Sequence, residues 1–291
     1  MSKTFDPRNK LNDLPNKDWM METKSVWFSR PPQRDELKAQ HPATFAESDI
    51  IRLIEFFTKP GMAVLDPFLG SGSTLVACAQ SGRSGVGIEL VEHWAEIARK
   101  RVEGSSVRSA CTERSVGSPC ATEPGQRVLT GDSRQVIADF ADDSIDFIVT
   151  SPPYWSILRK DQDHKVKAER KSKGLQTRYS DQENDLGNTE SYEDFLGELG
   201  KVFAECRRVL APKRYMCVVV SDFRHGSEFI AYHSDISRVM TKKGFTLEGI
   251  TILVQDSKNL YPYGLPFAFV SNIHHQYILT FRKNGGTENL E

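Results

Sequence analysis

The chain has 291 residues, a length that allows one large domain with a sizeable core. Its 38 basic and 39 acidic residues balance, which excludes a strongly cationic protein and confines any nucleic-acid site to a local patch. Five cysteines without a C-x-x-C pair or Cys/His ligand spacing predict free thiols and no metal, and the lack of a long apolar stretch predicts a soluble, intracellular protein with no membrane segment.

Residues 1–40 are polar overall but include large apolar side chains, among them Trp19 and Trp27. Such anchors predict an N-terminal arm that packs on the body, with the main domain spanning residues 41–291. Thr44 and Glu47 have the spacing of a capping box and precede apolar residues at helical intervals. A helix with Thr44 as its N-cap is therefore predicted, ending before Pro60.

Beyond Gly61, short apolar segments alternate with amphipathic ones. This rhythm predicts an α/β fold with a doubly wound, mostly parallel sheet, and its last two strands are expected to form an antiparallel edge. The predicted strands are 63–66, 86–89, 127–130, 145–150, 215–220, 246–254 and 275–282, and the predicted helices are about 72–81, 91–102, one capped by Ser191, and about 229–242.

Two irregular stretches interrupt this pattern. Residues 104–125 are rich in serine, glycine and threonine without hydrophobic periodicity, and predict an inserted mobile surface loop. Residues 156–190 concentrate positive charge, although several acidic residues dilute it. On charge alone, the second stretch is typical of a solvated loop.

The segment AVLDPFLGSGSTLVACA contains a strand that ends in Asp66, a turn with Gly70 and Gly72, and a helix. Glycines let a ligand approach the backbone, and a helix N-terminus offers free N–H groups. Glu89 ends the next strand, where a carboxylate accepts hydrogen bonds from both ribose hydroxyls. Because the third glycine of G-x-G-x-x-G is missing, an adenosine-containing ligand is favoured over a dinucleotide. Asp132, after a third strand, fits either the adenine amino group or a helix N-cap.

Residues Ser151, Pro152, Pro153 and Tyr154 follow the predicted strand 145–150, at the end where open α/β sheets bind ligands. Two prolines remove two N–H donors, so the local carbonyls are free to face a substrate that only donates, such as an exocyclic amine. The Ser151 hydroxyl and the Pro152 carbonyl are predicted to orient that amine, and Tyr154 to stack on an extruded base. A proline turn with a buried tyrosine is the structural alternative.

With these motifs the chain resembles the amino-methyltransferase family of DNA-modifying enzymes. DPFLGSGST is similar to the family's cofactor motif, TSPPY to its catalytic motif, and HPATF at 41–45 to the segment that closes over the methionine part of S-adenosylmethionine. The resemblance implies S-adenosylmethionine as cofactor, with S-adenosylhomocysteine as product, and double-stranded DNA as partner. Serine in the first catalytic position is typical of cytosine-N4 enzymes, whereas aspartate or asparagine is typical of adenine-N6 enzymes.

The resemblance also implies roles for individual residues. The catalytic residues are Ser151, Pro152, Pro153 and Tyr154. The cofactor-binding residues are Thr44, Phe45, Asp66, Phe68, Gly70, Gly72, Glu89 and Asp132. Beside the catalytic motif, phosphate contact becomes the better interpretation of the basic stretch, with Trp155, Arg159, Lys160, Lys171, Lys173 and Arg178 as candidate DNA-binding residues.

Other functions remain open from the sequence. Pro119-Cys120 superficially offers the nucleophile of a cytosine-C5 enzyme, but Cys120 lies in the serine- and glycine-rich loop and leaves SPPY without a task. Adenine-N6, RNA or protein-amide methylation uses related motifs, and a non-catalytic DNA-binding module is a fourth class. The sequence does not decide the recognition sequence, the oligomeric state or the presence of a companion restriction nuclease.

Overall fold

The computed structural model describes residues 6, 8–30, 35–41, 45–105, 125–155, 182 and 184–285. The strands are β1 (Val26–Phe28), β2 (Ala63–Asp66), β3 (Ser84–Glu89), β4 (Gln126–Thr130), β5 (Ile145–Thr150), β6 (Leu210–Val220), β7 (Phe223–His225), β8 (Glu228–Ile230), β9 (Phe245–Val254) and β10 (His275–Lys283). The α-helices in the described residues are α1 (Asn16–Glu22), α2 (Glu36–Gln40), α3 (Glu47–Phe57), α4 (Ser73–Ser81), α5 (Glu92–Gly104), α6 (Ser133–Val136), α7 (Tyr192–Val209) and α8 (Tyr232–Lys242).

Eight of the described strands form one sheet in the order β1-β9-β10-β6-β5-β2-β3-β4, and β7 and β8 form a separate hairpin. All neighbours in the large sheet are parallel except that β10 runs antiparallel to both β6 and β9. The doubly wound, mostly parallel sheet is thereby confirmed. The antiparallel strand is not at the edge, because β9 and β1 lie beyond it.

The core has two layers, one on each face of the sheet. Successive residues of β6 alternate between them: Val218 packs in the cluster that includes residues of α7 and α8, whereas Cys217 and Val219 pack in the cluster that includes residues of α3. This alternation is the pleat of a strand that is covered on both faces. In the part of the chain that the structure describes, no helix is both long enough and apolar enough to cross a membrane.

The N-terminal segment joins the sheet through β1, which pairs with β9. Trp27 of β1 is buried in the core, and the guanidinium of Arg52 lies 3.7 Å from the centre of its ring. Trp19 of α1 packs against Phe56 of α3 with ring centres 5.1 Å apart. The domain boundary at residue 40 and the two inserted loops stay predictions.

Two local predictions were wrong. Helix α3 begins at Glu47 with Ala46 as its N-cap and no capping side chain, while Thr44 lies outside the described residues. The capping box fails because the Glu47 carboxylate pairs with Lys38 and Arg101. Helix α8 begins at Tyr232 rather than near 229, because residues 228–230 form a strand of the β7–β8 hairpin.

Candidate active site

A cleft lies at the carboxyl ends of β2, β3 and β5 and encloses about 1180 Å³ of empty space, including the solvent at its mouth. Parallel strands of a doubly wound sheet bring their ligand-binding loops to this edge. Most of the predicted site residues meet here. Those that line the cleft are Phe45, Asp66, Phe68, Gly70, Glu89, Asp132, Ser151, Pro152, Pro153 and Tyr154.

The two glycines of the turn after β2 have different surroundings. Both have positive φ values, 55° at Gly70 and 88° at Gly72. A Cβ atom on Gly70 would lie 3.2 Å from the ring of His41, which also lines the cleft. A Cβ atom on Gly72 would lie 2.8 Å from the Cβ of Ala98, so Gly72 is required for the close approach of the turn to α5.

Asp66 secures the turn from below. Its carboxylate accepts hydrogen bonds from the hydroxyls of Thr150 at 2.6 Å and Thr74 at 2.5 Å, and from the backbone N–H of Phe68 at 3.0 Å. Burial raises the pKa of Asp66, although these three donors oppose the shift. The side chain thus ties the end of β5 and the start of α4 to β2.

Glu89 forms the wall beside the turn. One carboxylate oxygen accepts the backbone N–H of Gly70 at 2.8 Å, and the other accepts that of Val91 at 2.9 Å. Burial raises the pKa of Glu89 to about 7, and the two backbone donors offset only part of that shift. An acid that titrates near neutrality at the end of a strand is suited to hydroxyl recognition that depends on pH.

Asp132 is the N-cap of α6, since its carboxylate accepts the N–H of Arg134 at 2.9 Å, and it also lines the cleft. The guanidinium of Arg134 bridges Asp132 and Glu198. Burial raises the pKa of Asp132, but the hydrogen bonds and charge of Arg134 outweigh burial and lower it. The capping interpretation is therefore confirmed for Asp132, whose role toward adenine stays a prediction.

Sequence reasoning missed a buried charged cluster behind the glycine turn. The guanidinium of Arg101 pairs with Glu47 at 2.6 Å and Asp35 at 2.7 Å, and it donates to the carbonyl of Ser71 within the turn. Lys38 pairs with the second oxygen of Glu47. The cluster joins α2, α3 and α5 to the turn, and no sequence pattern links these positions because Arg101 lies 54 residues from Glu47.

The SPPY segment leaves β5 directly above Asp66. Among the described residues, the Ser151 hydroxyl has no hydrogen-bond partner and faces the cleft lining. The Tyr154 hydroxyl accepts the backbone N–H of Ser221 at 2.9 Å, and burial raises the pKa of Tyr154 to about 12. Tyr154 is thus an uncharged ring fixed at its outer end.

A second tyrosine, also missed from the sequence, holds the same segment. Tyr232, the first residue of α8, is fully buried and donates from its hydroxyl to the carbonyl of Pro153 at 2.9 Å. Its ring packs against Tyr154 with centres 5.5 Å apart and against Phe223 with centres 5.6 Å apart. Position in the sequence gives no signal for this contact, since 79 residues separate the two partners.

The predicted DNA-binding residues are only partly described. Trp155 does not line the cleft; its ring stacks on His225 with centres 4.6 Å apart, and its indole N–H donates to the carbonyl of Thr189 at 3.1 Å. The remaining candidates, Arg159, Lys160, Lys171, Lys173 and Arg178, lie outside the described residues, as does Thr44. Their roles stay predictions.

A glycine turn, an acid at the next strand end and an amine-accepting motif therefore share one cleft. The family model of a DNA methylase, the N6/N4 methyltransferase type, matches residues 2–100 and 145–290. The chain belongs to the N6/N4 DNA methylase family. The match omits residues 101–144, which include the serine- and glycine-rich stretch predicted to be an insertion.

Curated relatives of this DNA methylase align over shorter spans. The type II methyltransferase M2.DpnII of Streptococcus pneumoniae is 35% identical over 103 residues, 35% of this chain and 36% of that protein. The type II methyltransferase M.Cfr9I of Citrobacter freundii is 48% identical over 64 residues, 22% of this chain and 21% of that protein. The chain thus spans well under half the length of these relatives.

Among solved structures, the DNA methylase is similar to a DNA modification methylase of Thermus thermophilus, TTHA0409, whose crystal structure was determined in complex with S-adenosyl-L-methionine. The identity is 31%, and the alignment covers 55% of this chain and 56% of that one with a TM-score of 0.38.

Proposed function

We propose that the protein transfers a methyl group from S-adenosylmethionine to the exocyclic N4 amine of a cytosine in double-stranded DNA. The observation that carries this proposal is the single cleft shared by the glycine turn, Glu89 and the SPPY segment. One wall suits an adenosine, and the other offers acceptors and no N–H donors from its prolines. These are the two components that an amine methyltransferase must place side by side.

The residues present fit the cofactor. The Glu89 carboxylate has acceptor positions for ribose hydroxyls, and Phe68 and Val91 add apolar surface beside it for a purine ring. The turn at Gly70 and the start of α4 offer backbone approach to the remainder of the molecule. When bound, S-adenosylmethionine supplies an electrophilic methyl group on a sulfonium sulfur.

The chain's own task is to make the amine a nucleophile. An exocyclic amine is weakly nucleophilic because its lone pair is delocalised into the ring. If the Ser151 hydroxyl and the Pro152 carbonyl each accept one N–H, the nitrogen is held with its lone pair turned toward the methyl group. This is catalysis by orientation and polarisation, without a covalent intermediate. The free Ser151 hydroxyl supports that role.

Tyr154 is proposed to carry the target base. The amine is not reachable in line within a duplex, so the base must leave the stack and find another aromatic surface. The Tyr154 ring lines the cleft, and its position is fixed by Ser221 and Tyr232. A ring that is already immobilised loses little entropy when a base packs on it.

The identity of Ser151 favours cytosine over adenine, and adenine-N6 methylation is the main alternative. RNA or protein-amide methylation and a non-catalytic DNA-binding role are less favoured, because serine in this position and the HPATF segment resemble the DNA enzymes. A companion restriction nuclease remains a further proposal.

The proposed function is tested by product analysis. The purified protein is incubated with S-adenosylmethionine and mixed-sequence DNA, and the digested nucleosides are identified by mass spectrometry against N4-methylcytosine, N6-methyladenine and 5-methylcytosine standards. N4-methylcytosine is the expected product. N6-methyladenine would overturn the choice of base, and unmethylated DNA with bound cofactor would transfer the proposal to RNA or protein substrates.

The affinity for S-adenosylmethionine is expected to rise with pH through the pKa of Glu89, about 7. Below that pKa the carboxyl is protonated and loses acceptor capacity for the ribose; above it the carboxylate is complete. At pH 6 about one molecule in ten is ionised, so the Kd should be up to about tenfold higher than at pH 8. Calorimetry over this range measures it.

Glu89→Gln is the matched control, because the amide has nearly the same shape and does not titrate. The α-amino group of the ligand itself titrates near 8, so only the difference between the two proteins reports on Glu89. A wild-type pH dependence no steeper than that of Glu89→Gln would contradict the role of Glu89 in ribose recognition.

Tyr232→Phe is expected to lower kcat about tenfold while the Kd for S-adenosylmethionine stays unchanged. The variant keeps the buried ring but loses the hydrogen bond to the Pro153 carbonyl, so the SPPY segment gains freedom that small misplacements convert into lost rate. Tyr192→Phe is the control within the same aromatic cluster, since that hydroxyl bonds Asp235 instead. Equal rates in both variants would exclude a positioning role for Tyr232.

A further inference from the structure

The loop between β9 and β10, residues 255–274, presents large apolar side chains to solvent. Phe267 is 93% exposed, Phe269 89%, Leu265 73% and Leu260 71%. Single exposed apolar residues are ordinary, but several within ten residues form a patch of the kind that marks an interaction site.

The loop has an internal framework. At its base the N–H of Gln255 donates to the carbonyl of His274 at 2.8 Å. Higher up, the side chain of Asn272 bonds both the N–H and the carbonyl of Tyr261, each at 2.9 Å. At the tip, the N–H of Phe267 donates to the carbonyl of Gly264 at 2.7 Å. The aromatic side chains are therefore held outward by hydrogen-bonded backbone.

The base of this loop is continuous with the cleft. Gln276, two residues beyond the loop, lines the cleft and forms a hydrogen bond with Tyr154. The carbonyl of His275 accepts the hydroxyl of Ser221, whose N–H bonds the Tyr154 hydroxyl. A substrate that delivers a base to Tyr154 must pass beside the loop.

The charge of this segment identifies the partner. Residues 257–275 contain no aspartate or glutamate, although the whole chain has 39 acidic residues among 291. The same residues include the exposed Lys258 and His274. A surface without negative charge that combines aromatic rings with cations suits a polyphosphate backbone and the faces of its bases.

We propose that the β9–β10 loop is a DNA-contact surface beside the target base, and that Phe267 and Phe269 pack against the base faces exposed when that base leaves its stack. The inference rests on the proposed function and adds the surface that holds the opened duplex. Apolar side chains that fill gaps in base stacking offset part of the free energy lost on unstacking.

The test uses DNA binding and does not depend on catalysis. Fluorescence anisotropy compares a labelled mixed-sequence duplex with the same duplex carrying one abasic site, a permanent gap in the stack. The wild-type chain is expected to bind the gapped duplex at least about fivefold more tightly, since stacking of one base on an aromatic side chain supports a difference of this size. Phe267→Ala/Phe269→Ala should lose that preference.

The control is Met20→Ala/Met21→Ala, which removes two exposed apolar side chains of α1 that do not line the cleft, and it should retain the preference. Unchanged thermal unfolding shows that each variant is folded. The proposal is overturned if the phenylalanine variant keeps the preference, if the wild type binds neither duplex, or if sedimentation shows a dimer that only this variant dissociates, which would make the loop a contact between copies. A wild type that prefers the gapped duplex but methylates no DNA would refute the proposed function and leave the loop assignment standing.

Discussion

Ser151→Ala is expected to reduce the rate of methyl transfer to DNA by about a hundredfold or more while leaving cofactor affinity within about twofold. The hydroxyl has no partner among the described residues, so its removal leaves the fold intact and deletes one of the two proposed acceptors for the amine. Loss of a single preorganised hydrogen bond to the reacting group has an effect of this size. Initial rates with radiolabelled cofactor, together with calorimetry, measure both quantities.

Ser144→Ala is the matched control for this experiment. It removes a hydroxyl that donates to the carbonyl of Ala141 in a turn outside the cleft lining, so the transfer rate should not change. If Ser151→Ala methylates DNA as fast as the control, the amine is oriented by other groups and the proposed mechanism is wrong.

Gly72→Ala is expected to have the largest effect on stability, lowering the free energy of unfolding by about 3 kcal/mol. Part of the loss arises because alanine is strained at a φ of 88°, and the rest because the new Cβ would lie 2.8 Å from the Cβ of Ala98 and 2.9 Å from its Cα. A backbone atom cannot move aside as a side chain can. The displaced turn should also weaken cofactor binding.

Gly82→Ala separates the two causes. Gly82 ends the same helix with a φ of 70°, but a Cβ there meets nothing within 4 Å. Its substitution should therefore cost only the backbone strain, about 1 kcal/mol. Urea unfolding of both variants measures the difference, and equal losses would show that the contact with Ala98 is not limiting.

The features that the sequence predicted are those written in neighbouring residues. The strand 145–150, the glycine turn and the Ser191-capped helix each depend on apolar periodicity or capping within one segment. The catalytic motif was located because it follows a strand end, and topology places all such ends of parallel strands on one edge.

The features that escaped prediction are formed by residues far apart in the chain. Arg101 and Glu47 meet across 54 positions, and Tyr232 reaches Pro153 across 79. Nothing near these residues distinguishes them from surface charges or core aromatics. The capping box at Glu47 was a local pattern whose carboxylate was claimed by distant cations instead. Strand β1 has only three residues, too few for periodicity to indicate a strand.

The interior position of β10 has a consequence for synthesis of the protein. Strands β6 and β9 leave the ribosome before residues 275–283, yet they are joined only through β10, which pairs with both. Until β10 emerges, β6 has a free edge, and β1 and β9 have no link to the rest of the sheet. Such long-range pairing slows folding, and the nascent chain must keep two unpaired strand edges apart from other chains, which makes it a natural client for chaperones.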